Sequence, residues 1–287
     1  EMSCPHCSVA LTYHKERGRM ICHYCGASAW PITVCPACGS VDVGYSGYGT
    51  EGIEEELSRN FPGLTVSRVD TDAVRRKRAL QQVLSDFRQG RIHVLVGTQM
   101  VAKGLDFPGV KLVGIINADV GLQLPDFRAA ERTFSLLVQV AGRAGRALPD
   151  GKVLIQTFRP TSPSVRLAQQ GKLEEFYEGE LQARQQLGFP PFSRLIRVLL
   201  RGKNRQKALS ALQDLTALLS SALSDAAEIM GPAECPLARI SGNYRYHTIV
   251  RCRSFPEAHA RVARELERWR APAGVYVEVD VDPQALL

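Results

Sequence analysis

Ile92-His93-Val94-Leu95-Val96-Gly97-Thr98-Gln99-Met100-Val101-Ala102-Lys103-Gly104-Leu105-Asp106-Phe107 is the stretch that decides how the middle of this chain is read. Its first five residues form a short, mostly apolar run bounded by glycine, the pattern of a buried strand. The run leads directly into a loop carrying Gly97 and Gly104, where backbone can approach a ligand closely. Loops at the carboxyl ends of parallel strands are the ligand-binding positions of α/β sheets. Thr98 offers such a loop a hydroxyl for a phosphate, and Asp106 a carboxylate for a ribose hydroxyl or for coupling two sites. A plain glycine loop is the competing reading of this stretch taken alone.

The same rhythm continues on both sides. Upstream, Glu51 to Asn60 reads as a helix with acid in its first turn. Leu64 to Val69 reads as a strand, and Thr71 or Asp72 caps a helix running to Arg88. Downstream, Val110 to Ile116 is a strand, Glu131 to about Ala141 a helix, and Lys152 to Thr157 a last strand. Alternation of this kind predicts, over residues 45–160, a parallel sheet covered on both faces by helices. The Arg75-Arg76-Lys77-Arg78 run falls on a helix and reads as a solvated face.

Ahead of this region stand three Cys-x-x-Cys pairs: Cys4/Cys7, Cys22/Cys25 and Cys35/Cys38. Two short turns of this kind supply the four thiolates of a tetrahedral zinc site. Gly26 and Gly39 follow the second cysteine of their pairs, which suits a turn with positive φ. Residues 1–44 are too few to bury a useful core, so metal is expected to hold them together. Four cysteines fill one site and six leave a pair over, which suggests a fragment whose fourth pair lies upstream of Glu1. His6, His14 and His23 are not expected as ligands, because complete cysteine pairs are present. Cys235 and Cys252 stand alone and read as buried thiols.

Residues 161–190 are predicted to form a helical linker ending at Pro190-Pro191. Beyond it the pattern is strand (Arg194 to Leu200), Asn204-capped helix (Arg205 to Leu223), strand (Ile229 to Ile240), turn at Ser241-Gly242-Asn243, strand (Tyr244 to Arg253), helix from Pro256 to near Arg270, and strand (Val275 to Val281). This βαββαβ order over 191–287 is that of a ferredoxin-like split unit, a fold that names no function. Tyr244 and Tyr246 share one strand face, open to base stacking or to packing on a helix with equal weight.

Composition sets outer limits. With 287 residues, 45% of them hydrophobic, the chain can build two ordinary domains besides a metal module. Its net charge of +7 fits a nucleic-acid partner without proving one. No apolar run reaches membrane-spanning length, and no signal peptide is visible. Eight cysteines in a cytosolic chain point to metal rather than disulfides.

A second chemistry-bearing stretch is Gln139-Val140-Ala141-Gly142-Arg143-Ala144-Gly145-Arg146. Two arginines three apart at a helix end can point at one polyanion, and arginine is the residue that stabilises charge on a transferring phosphoryl group. Together with the Gly97–Phe107 stretch it resembles motifs V and VI of superfamily-2 helicases. Added to the cysteine pairs, Gly49-Thr50-Glu51, Asp126-Phe127-Arg128 with Glu131-Arg132, Leu187-Gly188-Phe189-Pro190-Pro191-Phe192, Pro236 to Ile240 and Asp280-Val281-Asp282-Pro283 extend the resemblance over essentially the whole chain. The family is that of the primosomal replication-restart helicases.

That resemblance implies a RecA-like second helicase lobe with a zinc-knuckle insertion, followed by a C-terminal α+β domain that binds DNA and partners. It implies zinc at Cys4, Cys7, Cys22 and Cys25, with Cys35 and Cys38 belonging to a second site whose partner pair this chain lacks. Gln139, Arg143 and Arg146 would face ATP, with Gly104 and Asp106 linking DNA contact to nucleotide state. Thr98, Gln99 and Lys103 would lie near single-stranded DNA, and Arg245 and Arg239 are the C-terminal candidates for branched DNA. The implied function is restart of DNA replication by an ATP-dependent 3′ to 5′ helicase that recognises stalled or recombination-derived forks and initiates primosome assembly. The implied partners are branched and single-stranded DNA, single-stranded-DNA-binding protein, other primosome proteins and the replicative helicase or its loader. The setting would be the bacterial cytoplasm, at the nucleoid, with no membrane. A second reading is an ATPase-inactive fork-recognition scaffold that recruits primosome proteins. The chain has no Gly-x-x-x-x-Gly-Lys-Ser/Thr pattern and no Asp-Glu-x-His box, so ATP and Mg²⁺ belong to a longer parent and this chain alone is expected not to hydrolyse ATP.

Overall fold

A computed structural model describes residues 2–14, 18–36, 38–41, 49–69, 77–98, 109–142 and 151–286, with the side chains of 77–79 excepted. The chain divides into two compact units. One comprises Glu1–Val43, Pro125–Phe127 and Gly179–Leu287; the other comprises Gly44–Leu124 and Arg128–Glu178.

In the first unit, the N-terminal module is a small antiparallel sheet of β1 (Thr12–His14), β2 (Arg19–Ile21) and β3 (Ser28–Ala29). Its buried residues are Cys4, Cys7, Leu11, Met20 and Cys22. So few apolar groups cannot offset the chain entropy of forty residues, and the cysteines themselves make up most of the core.

The C-terminal part of the same unit has an ample core of its own. Strand β8 (Arg194–Gly202) is followed by α6 (Arg205–Ala222), β9 (Ala227–Ile240), β10 (Asn243–Cys252), α7 (Phe255–Arg268) and β11 (Val275–Val281). The order is the βαββαβ predicted from the sequence. The strands lie side by side as β11-β8-β10-β9, every neighbour antiparallel. Asn204 caps α6 by accepting the Lys207 N–H at 2.9 Å. Ala208, Ala211, Leu212, Leu215 and Leu219 recur at helical spacing and form a stripe that packs on Ile196, Val198 and Leu200 of β8. Leu195 and Leu199, on the opposite face of β8, are equally buried and alternate there with the partly exposed Arg197 and Arg201. Thr216 and Thr248 join helix to sheet through a buried hydroxyl pair at 2.6 Å.

In the second unit, α1 (Thr50–Asn60) lies against β4 (Val66–Val69), where Arg68 reaches Glu51 at 2.9 Å and Glu54 at 3.3 Å. Helix α2 (Lys77–Arg88) leads to β5 (Val94–Gly97), which pairs in parallel with β4. Strand β6 (Leu112–Ile115) pairs in parallel with β7 (Lys152–Ile155) across α3 (Ala129–Ala141). Helices α4 (Pro163–Gln170) and α5 (Leu173–Leu187, of which Gly179 onward counts with the first unit) occupy the segment predicted as a helical linker. Phe134 of α3 stacks on Phe176 of α5 with ring centroids 3.8 Å apart, and Leu137, Val165 and Leu167 close around them.

The parallel pairing and flanking helices match expectation, with one difference. Among the described residues the strands pair two by two, and the β6–β7 ladder keeps Leu112 and Leu154 exposed on one face. An apolar run shows that a strand can be buried on both sides; it does not specify which neighbour covers it. The predicted cap at Thr71 or Asp72 and the arginines Arg75 and Arg76 lie outside the described residues.

Truncating Leu215 to alanine removes a fully buried side chain from the α6 stripe. The expected loss is about 2–5 kcal/mol of C-terminal stability, read as a lowered urea midpoint. A midpoint within experimental scatter of the parent would contradict the packing of α6 on β8.

Candidate metal centre

Each cysteine pair sits on a tight turn built in the same way. The Cys22 N–H donates to Ala27 O at 2.8 Å, and the Cys35 N–H to Ser40 O at 2.8 Å. In the first pair the Cys4 N–H donates to Val9 O at 2.9 Å. Gly26 and Gly39 adopt φ of +73° and +71°, the left-handed conformation expected of them. These turns place Cys4, Cys7, Cys22 and Cys25 so that all four Sγ atoms lie within 4.8 Å of one another. The Cys4 and Cys25 sulfurs are 3.6 Å apart. A tetrahedron with zinc–sulfur bonds of about 2.3 Å has an edge of about 3.8 Å, so the donor set fits zinc. All four donors are sulfur, the chemistry of a closed structural site without an open position for substrate.

Burial and neighbouring N–H groups shift these thiols in different directions. Burial pushes the Cys7 thiol up to about 12, against the pull of a backbone N–H from Ser241. Cys22 is pressed upward by burial but brought down to about 7 by the N–H groups of Cys25 and Tyr24. Crowded, buried thiolates repel one another and need a positive charge among them.

Cys35 and Cys38 form their own turn but do not join the four-sulfur cluster. The residues that the resemblance would set against nucleotide and DNA are distributed as follows. Thr98 is exposed immediately beyond the carboxyl end of β5, and Gln139 is exposed on α3. Gln99, Lys103, Gly104, Asp106, Arg143 and Arg146 lie outside the described residues.

Asp119, unremarked in the sequence, is buried at the carboxyl ends of β6 and β7. It accepts the Thr157 hydroxyl at 2.9 Å and the Phe158 N–H at 2.7 Å. A buried carboxylate with two donors fixes the strand ends on which a ligand-facing loop would stand. The Asp126-Phe127 and Leu187–Phe192 motifs meet in space: Phe127 stacks on Phe189 at 4.9 Å, and Asp126 accepts the Leu286 N–H at 3.2 Å.

On the C-terminal sheet burial decides between the two open readings for Tyr246. Tyr246 is a core residue whose hydroxyl meets Arg205 Nε at 3.0 Å, so its ring is closed to a base. Tyr244 is half-buried, with Arg239 and Arg205 near its ring at 5.7 and 6.0 Å. Arg245 is on the other face, half-buried, donating from Nη1 to Leu237 O at 3.1 Å.

Three family models match successive parts of the chain. "PriA DNA helicase Cys-rich region (CRR) domain" covers residues 4–29, "Helicase conserved C-terminal domain" 47–148, and "Primosomal protein N C-terminal domain" 185–284. Among curated relatives, "Replication restart protein PriA" of Treponema pallidum (strain Nichols) is 50% identical over 286 residues, covering 100% of this chain and 43% of the relative. The protein of the same name from Bacillus subtilis (strain 168) is 38% identical over 287 residues, covering 99% of this chain and 36% of the relative. That of Borreliella burgdorferi (strain ATCC 35210 / DSM 4680 / CIP 102532 / B31) is 36% identical over 284 residues, covering 99% and 43%. The chain therefore spans less than half the length of each of these relatives. No helix among the described residues is long and apolar enough to cross a membrane.

Two outcomes test this description. Replacing Cys4 and Cys7 by serine should remove one bound zinc per chain and the far-ultraviolet signal of the N-terminal module, with the α6 helix retained. Metal analysis and circular dichroism on one sample read both; zinc retained in the double variant would show that the cluster is not the site. Burial, and then the neighbouring Arg197 and Arg245, hold His247 down to about 4 against an ordinary 6.5. The unfolded chain takes a proton that the folded one refuses, so stability should fall as pH drops from about 6.5 to about 4. His247→Gln should flatten that part of a plot of Tm against pH; an unaltered slope would place the histidine in solvent.

Proposed function

We propose, for a chain that belongs to the PriA family of replication restart proteins, that it forms the metal-binding, second-lobe and C-terminal portion of an ATP-dependent 3′ to 5′ DNA helicase acting in replication restart. The longer protein recognises stalled or recombination-derived forks and initiates primosome assembly in the cytoplasm, at the nucleoid. The observation that carries this reading is the succession of three matches in one chain, in order, with 50% identity sustained over 286 residues. A cysteine-rich module alone, or a helicase lobe alone, would leave the process open.

In this reading the division of labour is residues 1–44 as metal module, 45–160 as second lobe, 161–190 as helical linker and 191–287 as the DNA- and partner-binding domain. Gln139, Arg143 and Arg146 face the nucleotide, the two arginines bearing on the charge that develops on the transferring phosphoryl group. Gly104 and Asp106 link nucleotide state to the DNA contacts of Thr98, Gln99 and Lys103. The exposed position of Thr98 at the carboxyl end of a parallel strand supports that assignment. The strand-end clamp made by Asp119 gives the neighbouring loops a fixed base. Arg245 and Arg239 are the C-terminal groups for phosphate contact, in keeping with a net charge of +7.

Cys4, Cys7, Cys22 and Cys25 hold zinc as a cross-link in place of a hydrophobic core. Cys35 and Cys38 serve a second zinc completed by ligands outside this set. ATP and Mg²⁺ act in the longer protein. Single-stranded-DNA-binding protein, other primosome proteins and the replicative helicase or its loader are the partners.

The test is Arg143→Ala in the full-length protein. DNA-stimulated ATP turnover should drop by about 10³-fold, the loss typical of an arginine finger, with fork binding unchanged. Turnover at the parent rate would overturn the finger role of Arg143, and a full-length parent with no DNA-stimulated turnover would favour a scaffold that recognises forks and recruits partners without using ATP.

A further inference from the structure

The three cysteine turns differ in one bond. In the second, the residue after the second cysteine is Gly26, and its N–H closes the turn on Cys22 O at 2.9 Å. In the third, the Gly39 N–H closes on Cys35 O at 2.8 Å. In the first, that position is Ser8, which is not among the positive-φ residues, and its N–H does not return to Cys4 O. It donates instead to Arg239 O at 2.9 Å, in the C-terminal sheet.

Two more backbone bonds join the same places. The Gly242 N–H donates to His6 O at 2.8 Å, inside the first turn. The Ser241 N–H donates to Cys7 Sγ, a member of the four-sulfur cluster, at 3.2 Å. Between them Ile240 packs against the module core of Cys4, Cys7, Leu11, Met20 and Cys22. Residues 239–242 are the end of β9 and the tip of its hairpin with β10, where Ser241 and Gly242 stand at φ +50° and +78°. Two successive residues of positive φ make the tight turn that matches strand twist. The ladder ends at Ile240 opposite Asn243, and the next pair, Arg239 opposite Tyr244, brings the Arg239 guanidinium to 5.7 Å from the Tyr244 ring.

We propose that the β9–β10 hairpin tip is an integral part of the four-cysteine centre, so that metal occupancy and hairpin conformation are coupled. The Ser8 turn lacks the glycine that closes the other two from within, and the hairpin completes it. Ser241 supplies the outer N–H that orients and stabilises the Cys7 thiolate, the role that groups around the immediate ligands play in metal sites. Ile240 shields the sulfurs from water. Ser241 and Ile240 are positioning residues, acting on the metal through Cys7 and the module core. Because binding linkage is reciprocal, a metal that seats the hairpin is itself held more tightly by the seated hairpin. The strand ends bearing Arg239 and Tyr244 are set by the same equilibrium.

The test uses the whole zinc-loaded chain and does not depend on what the hairpin binds. Amide hydrogen exchange is followed before and after zinc removal by a chelator. Exchange at Ser8, Ser241 and Gly242 should accelerate about tenfold or more, while the amides of Leu212 and Leu215 in α6 stay protected. In Ile240→Asp, zinc should pass to a chromogenic chelator roughly ten times faster than in the parent, within the range seen when groups behind the immediate ligands are altered. Ile240→Ala, with a smaller increase, stands in if the aspartate variant does not fold. Hairpin amides that keep their protection after zinc is removed, or zinc released at the parent rate from a folded Ile240 variant, would overturn the proposal.

Discussion

Four thiols crowded within 4.8 Å, three of them buried, are unstable as a set of like groups and become a cross-link when a divalent cation stands among them. Much of the first unit's construction follows from that constraint. The N-terminal module has three strands of two or three residues and a core made largely of cysteine. Such a piece does not order itself through apolar burial. It is held by sulfur from within and by the hairpin from outside, and the two supports meet at Cys7.

The C-terminal sheet provides the rigid body against which the module rests. Strand β8 carries fully buried apolar residues on both faces and is flanked by β10 and β11, and the α6 stripe covers one side with leucine and alanine. A hairpin anchored in so firm a sheet can present three backbone groups at fixed positions with little entropy left to lose. In a mobile loop the same N–H groups would be poor partners for a metal site. Cys252 and Cys235 are buried apart from this centre, as ordinary small apolar residues of the domain.

The helicase-like unit is organised around parallel strand pairs and their carboxyl ends. Asp119 is buried there with two donors on its carboxylate, and Phe134 and Phe176 lock the helices behind it. In this unit, as in the metal module, polar groups placed at the ends of elements do the positioning, while apolar packing behind them supplies the stability.

Much of this was legible in the order of residues. Cys-x-x-Cys spacing announces a metal turn because four thiolates in two short loops have few other uses, and Gly26 and Gly39 occupy the positive-φ sites their positions demanded. The βαββαβ order and the Asn204 cap follow from local periodicity and hydrogen-bond chemistry, which act over a few residues. The sequence also carried the family resemblance through motifs whose residue types are tied to their chemistry.

What it could not contain was which distant groups meet. Ser8 stood in the sequence as an unremarked departure from glycine; only its approach to Arg239, 231 positions later, gives that departure a meaning. The choice between stacking platform and core for Tyr244 and Tyr246 was undecidable from alternation, because period two assigns a face without saying what covers it. Asp119 gave no signal, since its partners are backbone and side-chain groups 38 and 39 residues away. Short-range chemistry was therefore determined by the sequence alone, whereas every contact that closes a long loop was decided by tertiary structure, where burial and geometry select among partners that local pattern leaves equivalent.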